Sequence, residues 1–369
     1  MNIKDGMRKI IVMMAVGIMT AISAQAQKIQ AVDDDGHGIP LVSVTTEDGV
    51  FIGTTDINGT LADVKGATKV SLVHVAYKPQ TVSVSALTDG RVVMEEVDYD
   101  LGEIVVKPKP YVYMEYYFRG FSYIDDSLRT YAAGIIPVAH DIKNGYKGKT
   151  RSVWTLGGAA NKALKWNIET LQLKAEEGAK QAVISIEESV CKSKKFKDYY
   201  KVSMEPDGEN RWLVKNPEGT VGVIKHDNGQ YRSMLDGSKI QMYANKANGE
   251  TKRLKDREDR NYDYQYSEVF NLDDEGNIQP YNLVMDMSHW EYDTSKGRKI
   301  TIIYLYTAEH SYMDDSEFKA RTKELNKGWV NDMPLEELQK YEQAHNIPAL
   351  APTQLKAIEE LKLQTGKKK

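Results

Sequence analysis

The sequence predicts a mainly β protein of the α+β kind: a small N-terminal β-sandwich, a tyrosine-rich antiparallel β domain and a helical C-terminal region. Three observations carry this. From Lys28 to Val106, short runs of β-type residues alternate with Gly, Asp and Asn; from Val202 to Asn277, glycine-centred turn signals follow one another closely; from Asp314 onward the apolar spacing turns helical. A chain of 369 residues has room for two or three domains, and its 41% hydrophobic content can fill their cores.

Residues 1–26 stand apart. Lys4, Arg8 and Lys9 precede an apolar run from Ile10 to Ile22, which ends at Ser23-Ala24-Gln25-Ala26. This is the pattern of a secretory signal peptide cleaved after Ala26. The run is shorter than the roughly 20 residues a membrane span needs, so no transmembrane span is expected in the mature chain. Residue 27 is Gln and not Cys, so the thiol of a bacterial lipid anchor is missing at the cleavage point, and a soluble exported form is expected. Loss of Lys4, Asp5, Arg8 and Lys9 takes the formal charge from −4 to −6, which argues against nucleic acid and anionic membrane surfaces as partners. Cys191 is the single cysteine, so an internal disulfide is excluded, and it reads as a small buried hydrophobe.

In the sandwich region the expected strands are Val42 to Thr46, Val50 to Gly53, Lys69 to Val75, Thr81 to Val84 and Arg91 to Val97. Val82-Ser83-Val84-Ser85 alternates, giving one buried and one wet face. "GTTDINGT" (53–60) has the look of a cation loop, but Asn58-Gly59 is a tight-turn signal and no companion carboxylate stands at calcium-loop spacing, so a hairpin tip is expected. "KPKP" (107–110) is read as a linker, because its prolines cannot donate to a sheet ladder.

Residues 111–310 have a different core. All five tryptophans and all tyrosines but Tyr77 and Tyr99 lie beyond residue 110. "EPDGEN", "KNPEGT", "HDNGQ", "LDGS" and "DDEGN" are spaced as the turns of an antiparallel meander, interrupted by one expected helix near 162–181. In 311–369, Asp315-Ser316-Glu317, Pro334 and Pro352 can each open a helix.

Read in order, "GIPLVSV" (38–44), "GTTDINGTL" (53–61), "VSLVHVAYKPQTVSV" (70–84), "VVMEE" (92–96) and "LGEIVV" (101–106) resemble the carboxypeptidase-regulatory-like domain. The resemblance covers residues 28–106 and implies a seven-stranded, transthyretin-like β-sandwich. It implies a binding or assembly module without peptidase chemistry, of the kind that leads exported Gram-negative envelope proteins and TonB-dependent transporters. Leu61 and Ala76-Tyr77 depart from the family's usual residues, which touches packing only. The remainder lacks the strand run of a transporter barrel. "YYFRGFSYIDDSLRTYAAGIIPV" and "WEYDTSKGRKITIIYLY" resemble uncharacterised envelope proteins with the same leading module, and imply location more than activity.

Motifs for chemistry are weak. No histidine has the His-Glu-x-x-His or His-x-x-Glu spacing of a zinc peptidase, His289-Trp290-Glu291 being nearest, and no serine sits in a nucleophile elbow. "GYKGKT" (145–150) has the wrong glycine spacing for a phosphate loop. "NLDDEGNIQPYN" (271–282) has Asn282 where a calcium loop needs glutamate, and "VDDDGHG" (32–38) reads as a solvated turn. No catalytic, cofactor or metal residue is therefore assigned. The candidate ligand-binding residues are two tyrosine rows, each on one face of an extended chain: Tyr111, Tyr113 and Tyr117, followed by Phe121 and Tyr123, and then Tyr262, Tyr264 and Tyr266. Such rows can stack on sugars or line a groove, although cross-strand ladders covering a sheet are the preferred reading. The expected function is a non-catalytic exported envelope protein, periplasmic or associated with the outer membrane, that binds a protein partner or a glycan. The alternatives are a carrier of a lipid or other apolar ligand in a curved-sheet cavity, and a hydrolase with an unrecognised site.

Overall fold

The computed structural model describes residues 28–97, 99, 109–141, 155–157, 198–227, 229–259, 261–272, 276, 278–325 and 335–366. The expected signal peptide, the helix near 162–181, the 145–150 segment and Cys191 lie outside these residues.

Seven short strands come first, in two sheets. β1 (Ile29–Val32) lies between β4 (Thr60–Leu61) and β7 (Arg91–Val93), antiparallel to the first and parallel to the second. β2 (Ser43–Thr46), β3 (Phe51–Thr54), β5 (Lys69–His74) and β6 (Tyr77–Ser83) form the other sheet in the order β3-β2-β5-β6. Alternating apolar residues from both, among them Ile29, Ala31, Val44, Val70, Leu72 and Val92, are buried in one core.

The "GTTDINGT" segment is a tight turn but not a hairpin tip within one sheet. Gly59 has φ +72°, and Asp56 Oδ1 accepts the N–H groups of Asn58 and Thr60, both at 2.9 Å. Its flanking strands diverge: β3 pairs with β2, whereas β4 crosses to β1. The turn therefore links the two sheets. A Cβ at residue 59 would fall 2.2 Å from the Ala31 carbonyl oxygen, so only glycine fits.

Ten strands then make one sheet, β8 (Tyr111–Ile124), β9 (Ser127–Asp141), β10 (Thr155–Gly157), β11 (Ser203–Pro206), β12 (Arg211–Asn216), β13 (Gly219–Asp227), β14 (Gln230–Asp236), β15 (Asp263–Leu272), β16 (Ile278–Thr294) and β17 (Gly297–Met313). The order is β10-β9-β8-β17-β16-β15-β14-β13-β12-β11, antiparallel throughout. The meander runs from β11 to β17, and pairing of β17 with β8 places the tyrosine-rich "YVYMEYYFRGFSY" strand inside the sheet. Most of the expected turn signals do join neighbouring strands. "LDGS" does not: Asp236 caps a helix, accepting the Lys239 N–H at 2.8 Å, and α1 (Gly237–Ala247) and α2 (Thr251–Asp259) follow. An aspartate before a glycine and a serine serves a helix start as well as a turn, which is why the signal misleads.

The helical C-terminal region is α3 (Asp315–Leu325), α4 (Leu335–Ala344) and α5 (Pro352–Gly366), beginning three residues later than the 310 boundary because β17 continues to Met313. Asp314 caps α3 through the N–H groups of Ser316 and Glu317, at 2.8 and 2.9 Å. Among the described residues, no helix is long and apolar enough to cross a membrane.

The large sheet buries both faces. One face, with Tyr117, Phe121, Tyr123, Ile302, Tyr304 and Tyr306, shares a core with the sandwich and with α4 and α5. The other, with Met114, Tyr116, Phe118, Ile303 and Leu305, joins Val214, Ile224, Leu235 and the α1 residue Ile240 in a second core. These are the docking face and the far face. The sandwich docks by packing Phe51 on Tyr123, with ring centroids 5.3 Å apart, and by hydrogen bonds from Tyr304 to Ser43 and from Tyr99 to the Thr307 carbonyl, at 3.4 and 2.7 Å. A row of cations opposite one another on three neighbouring strands, Arg211, Lys225 and Arg232, faces acids of the sandwich: Arg232 pairs with Glu96 at 2.7 Å and Lys225 with Asp35 at 3.7 Å.

The C-terminal helices are held by a buried charge pair. Arg119 of β8 donates through Nε to Glu342 of α4 at 3.0 Å, approaches the same oxygen through Nη2 at 2.8 Å, and donates through Nη1 to the Pro348 carbonyl at 2.7 Å. Tyr117 donates its hydroxyl to Glu342 as well. Removing one partner strands the other in an apolar setting. Glu342→Ala is expected to lower stability by about 3–5 kcal/mol in urea unfolding, and Arg119→Met/Glu342→Leu to recover most of that loss. A single-variant loss below about 1 kcal/mol would show that the pair does not hold the helices.

Candidate functional site

The two tyrosine rows have different fates. Tyr111, Tyr113 and Tyr117 share the docking face, and each is covered by a C-terminal helix. Tyr111 stacks on Phe318 at 4.0 Å, Arg321 lies 4.6 Å above the Tyr113 ring, and Tyr117 stacks on Tyr341 at 5.8 Å. This row is interior packing between layers. Tyr262 precedes β15 and stacks on Tyr292 at 6.3 Å, just before the pair of Tyr264 and Trp290.

Tyr264 and Tyr266 stand on the far face, half-buried, and belong to a track that runs along β15 and β16. Antiparallel register sets three pairs on that face in succession: Tyr264 opposite Trp290, Tyr266 opposite Ser288, and Glu268 opposite Asp286. The Tyr264 ring lies nearly parallel to Trp290, at 5.2 Å and 20°, and to Tyr266, at 5.3 Å and 23°. The three rings form a shelf, and the carboxylates follow it one pair beyond Tyr266, roughly 7 Å along the strand. The start of α1 lies against the shelf: the Ser238 hydroxyl accepts the Tyr264 N–H, and a Cβ at Gly237 would stand 2.7 Å from the Tyr264 ring. Glycine at 237 thus lets the helix approach the rings.

The carboxylates lie deeper. Glu268 and Asp286 are 6% and 7% exposed, and each has a serine beside it: Ser233 donates to Glu268 at 3.2 Å and Ser288 to Asp286 at 3.3 Å. Burial, reinforced by the facing Glu268, pushes the Asp286 carboxyl well above the usual range. Burial, reinforced by the same two carboxylates, pushes the Tyr264 phenol up. Two acids opposite each other in an apolar sheet are costly to keep ionised together, and they form a carboxyl pair that can both give and accept hydrogen bonds. Neither residue is conspicuous in the sequence. The available signal is Asp286 inside the apolar run Leu283-Val284-Met285-Asp286-Met287, where an unpaired acid does not suit a core strand.

Other sequence candidates separate from this track. Ligand atoms of Asp33, Asp35 and His37 come within 4.8 Å of one another, but Lys225 pairs with Asp35 and His37 lies 3.5 Å from Asp33, so the "VDDDGHG" acids act as docking charges. His289 and Glu291 share the docking face, with Nε2 and Oε2 3.7 Å apart, and burial lowers the imidazole to about 4. The "NLDDEGNIQPYN" segment joins β15 to β16, with Leu272 opposite Ile278.

Compared with known proteins, the chain matches no family model and no curated protein. The geometry therefore carries the functional reading.

Asp263, on the docking face at the start of β15, is raised to about 6 by burial and then by the nearby Asp236 and Glu291. A carboxyl raised in the folded state binds its proton more tightly there than in the unfolded chain. Its ionisation therefore costs stability as pH rises from about 4 to about 6, and the full cost is present above 6. Asp263→Asn is expected to raise stability at pH 7 by on the order of 2 kcal/mol and to leave it unchanged below about pH 4. Urea unfolding across that range checks the sign.

Proposed function

We propose that this chain is a non-catalytic binding protein of the cell envelope whose ligand is a glycan held on the far face. The single observation behind this is the track itself, an aromatic shelf of Tyr264, Tyr266 and Trp290 leading to the paired carboxyls of Glu268 and Asp286. Aromatic faces stack on the C–H faces of sugars, and carboxyls exchange hydrogen bonds with their hydroxyls. The same pair disfavours the lipid-carrier alternative, because an acyl chain laid on the track offers two buried acids no hydrogen bond beyond those of Ser233 and Ser288.

The N-terminal sandwich supports the envelope part of the proposal through its resemblance to the carboxypeptidase-regulatory-like module and through the signal-like pattern of residues 1–26. Its docked position suits an assembly role: it covers the docking face, on the side of the sheet opposite the aromatic shelf. A second reading, hydrolysis of a glycoside, is favoured by the same facing carboxyls, since a raised acid beside a second carboxylate is the pairing such chemistry uses.

The test is titration of the chain with cello-, malto- and chito-oligosaccharides, followed by calorimetry and by analysis of the sugars for cleavage. The parent is expected to bind at least one series, and Tyr264→Ala, with unchanged thermal unfolding, to weaken it about tenfold or more. Cleaved sugar would replace binding with hydrolysis. Absence of binding to all three series, or full affinity in Tyr264→Ala, would remove the glycan reading.

A further inference from the structure

A second site is formed where the sandwich meets the turn ends of the large sheet. A groove of about 330 Å³ opens there between β3 and the β8–β9 and β16–β17 hairpins. This is within the range of small-ligand sites. Its apolar lining is Phe51, Ile52 and Ile300, and its charged lining is Lys65, Asp125, Asp126, Glu291 and Arg298. Three acids stand against two bases.

The bases are already engaged. Lys65 pairs with Asp126 at 2.8 Å, and Arg298 pairs with Glu291 and lies 3.9 Å from Asp293. Asp125 is different. It is exposed at the rim, its Oδ1 accepts the Arg298 N–H at 3.2 Å, and among the described residues its carboxylate has no side-chain cation. Behind the groove lies His289, 1% exposed, edge-on to Phe51 at 6.3 Å and beside Glu291, and neither of its ring nitrogens has a hydrogen-bond partner among the described residues. A buried imidazole with both nitrogens unsatisfied is costly, and it sits directly behind two residues that line the groove.

We propose that this groove binds a small organic amine, its ammonium held by Asp125 and its carbon body lying on Phe51, Ile52 and Ile300, with His289 behind it. The unmatched carboxylate selects a cation. An acid of the same size would meet three carboxylates. The imidazole is neutral near pH 7, because burial lowers it to about 4, so it adds no opposing charge. Two sources carry this chemistry, a free amine and the lysine side chain of a partner protein.

The probes are n-butylammonium, butyrate and Nα-acetyl-lysine amide, titrated into the full chain at pH 7.5 with NMR observation of the histidine rings. n-Butylammonium is expected to shift the His289 signals saturably, and butyrate not to. Stronger binding by the lysine amide would assign the groove to a protein side chain, and stronger binding by butylammonium to a free amine. Asp125→Asn is the informative variant, since Asn tolerates the φ of +48° at this position and keeps the acceptor for Arg298 while removing the charge. It is expected to weaken amine binding about tenfold or more, whereas Tyr264→Ala leaves it unchanged. Equal binding of butyrate, unmoved His289 signals, or full affinity in Asp125→Asn would overturn the proposal.

Discussion

The buried contact between Arg119 and Glu342 joins elements more than 200 residues apart, and the arrangement of the docking face depends on it. Arg119 sits on a central strand, surrounded by Tyr117, Tyr131 and Tyr306, and so cannot be left without an anion. Glu342 supplies that anion only if α4 lies across β8. The Pro348 carbonyl, which takes another guanidinium N–H, then fixes the path from α4 toward α5. α5 in turn reaches the sandwich, where Lys356 pairs with Asp48 and the Thr45 hydroxyl lies 3.5 Å from that of Thr353. One ion pair thereby orders the sheet, the helices and the sandwich as layers around one core.

The consequence is a division of labour between the faces of the ten-stranded sheet. On the docking face, polar atoms are matched to polar atoms of another layer, as with Tyr99 and Thr307 or Arg232 and Glu96. On the far face, the polar residues Glu268 and Asp286 face each other within the sheet and draw on serines of neighbouring or the same strand. A sheet selected only for packing would place apolar residues there, as it does on the adjoining rungs with Leu305 and Phe270.

Much of the fold was legible because its signals are local. Gly-centred turns in the meander, the short strand runs of the sandwich and the opening residues of α3 and α5 act within a few residues of themselves, whereas the Val82-Ser83-Val84-Ser85 alternation leaves the strand at Val84, where a short 3-10 turn begins. The readings that failed were those in which one local signal serves two structures. "LDGS" caps a helix, and the tight turn at Asn58-Gly59 joins different sheets. The candidate site was legible in part. Alternation places Tyr264 and Tyr266 on one face, but only the pairing of β15 with β16 reveals Trp290 as the third ring and brings Glu268 to Asp286. Alternation alone also cannot tell that the Tyr111, Tyr113 and Tyr117 row is covered by helices whose sequence begins some 200 residues later.

The central claim is that one tyrosine row is interlayer core and the other a binding shelf. The most direct measurement is ¹⁹F NMR of the chain labelled with 3-fluorotyrosine, with resonances assigned by single Tyr→Phe variants and followed during oligosaccharide titration. The account predicts saturable shifts confined to Tyr264 and Tyr266, with Tyr113 and Tyr117 unmoved. Shifts at Tyr113 or Tyr117, with Tyr264 and Tyr266 unmoved, would contradict it.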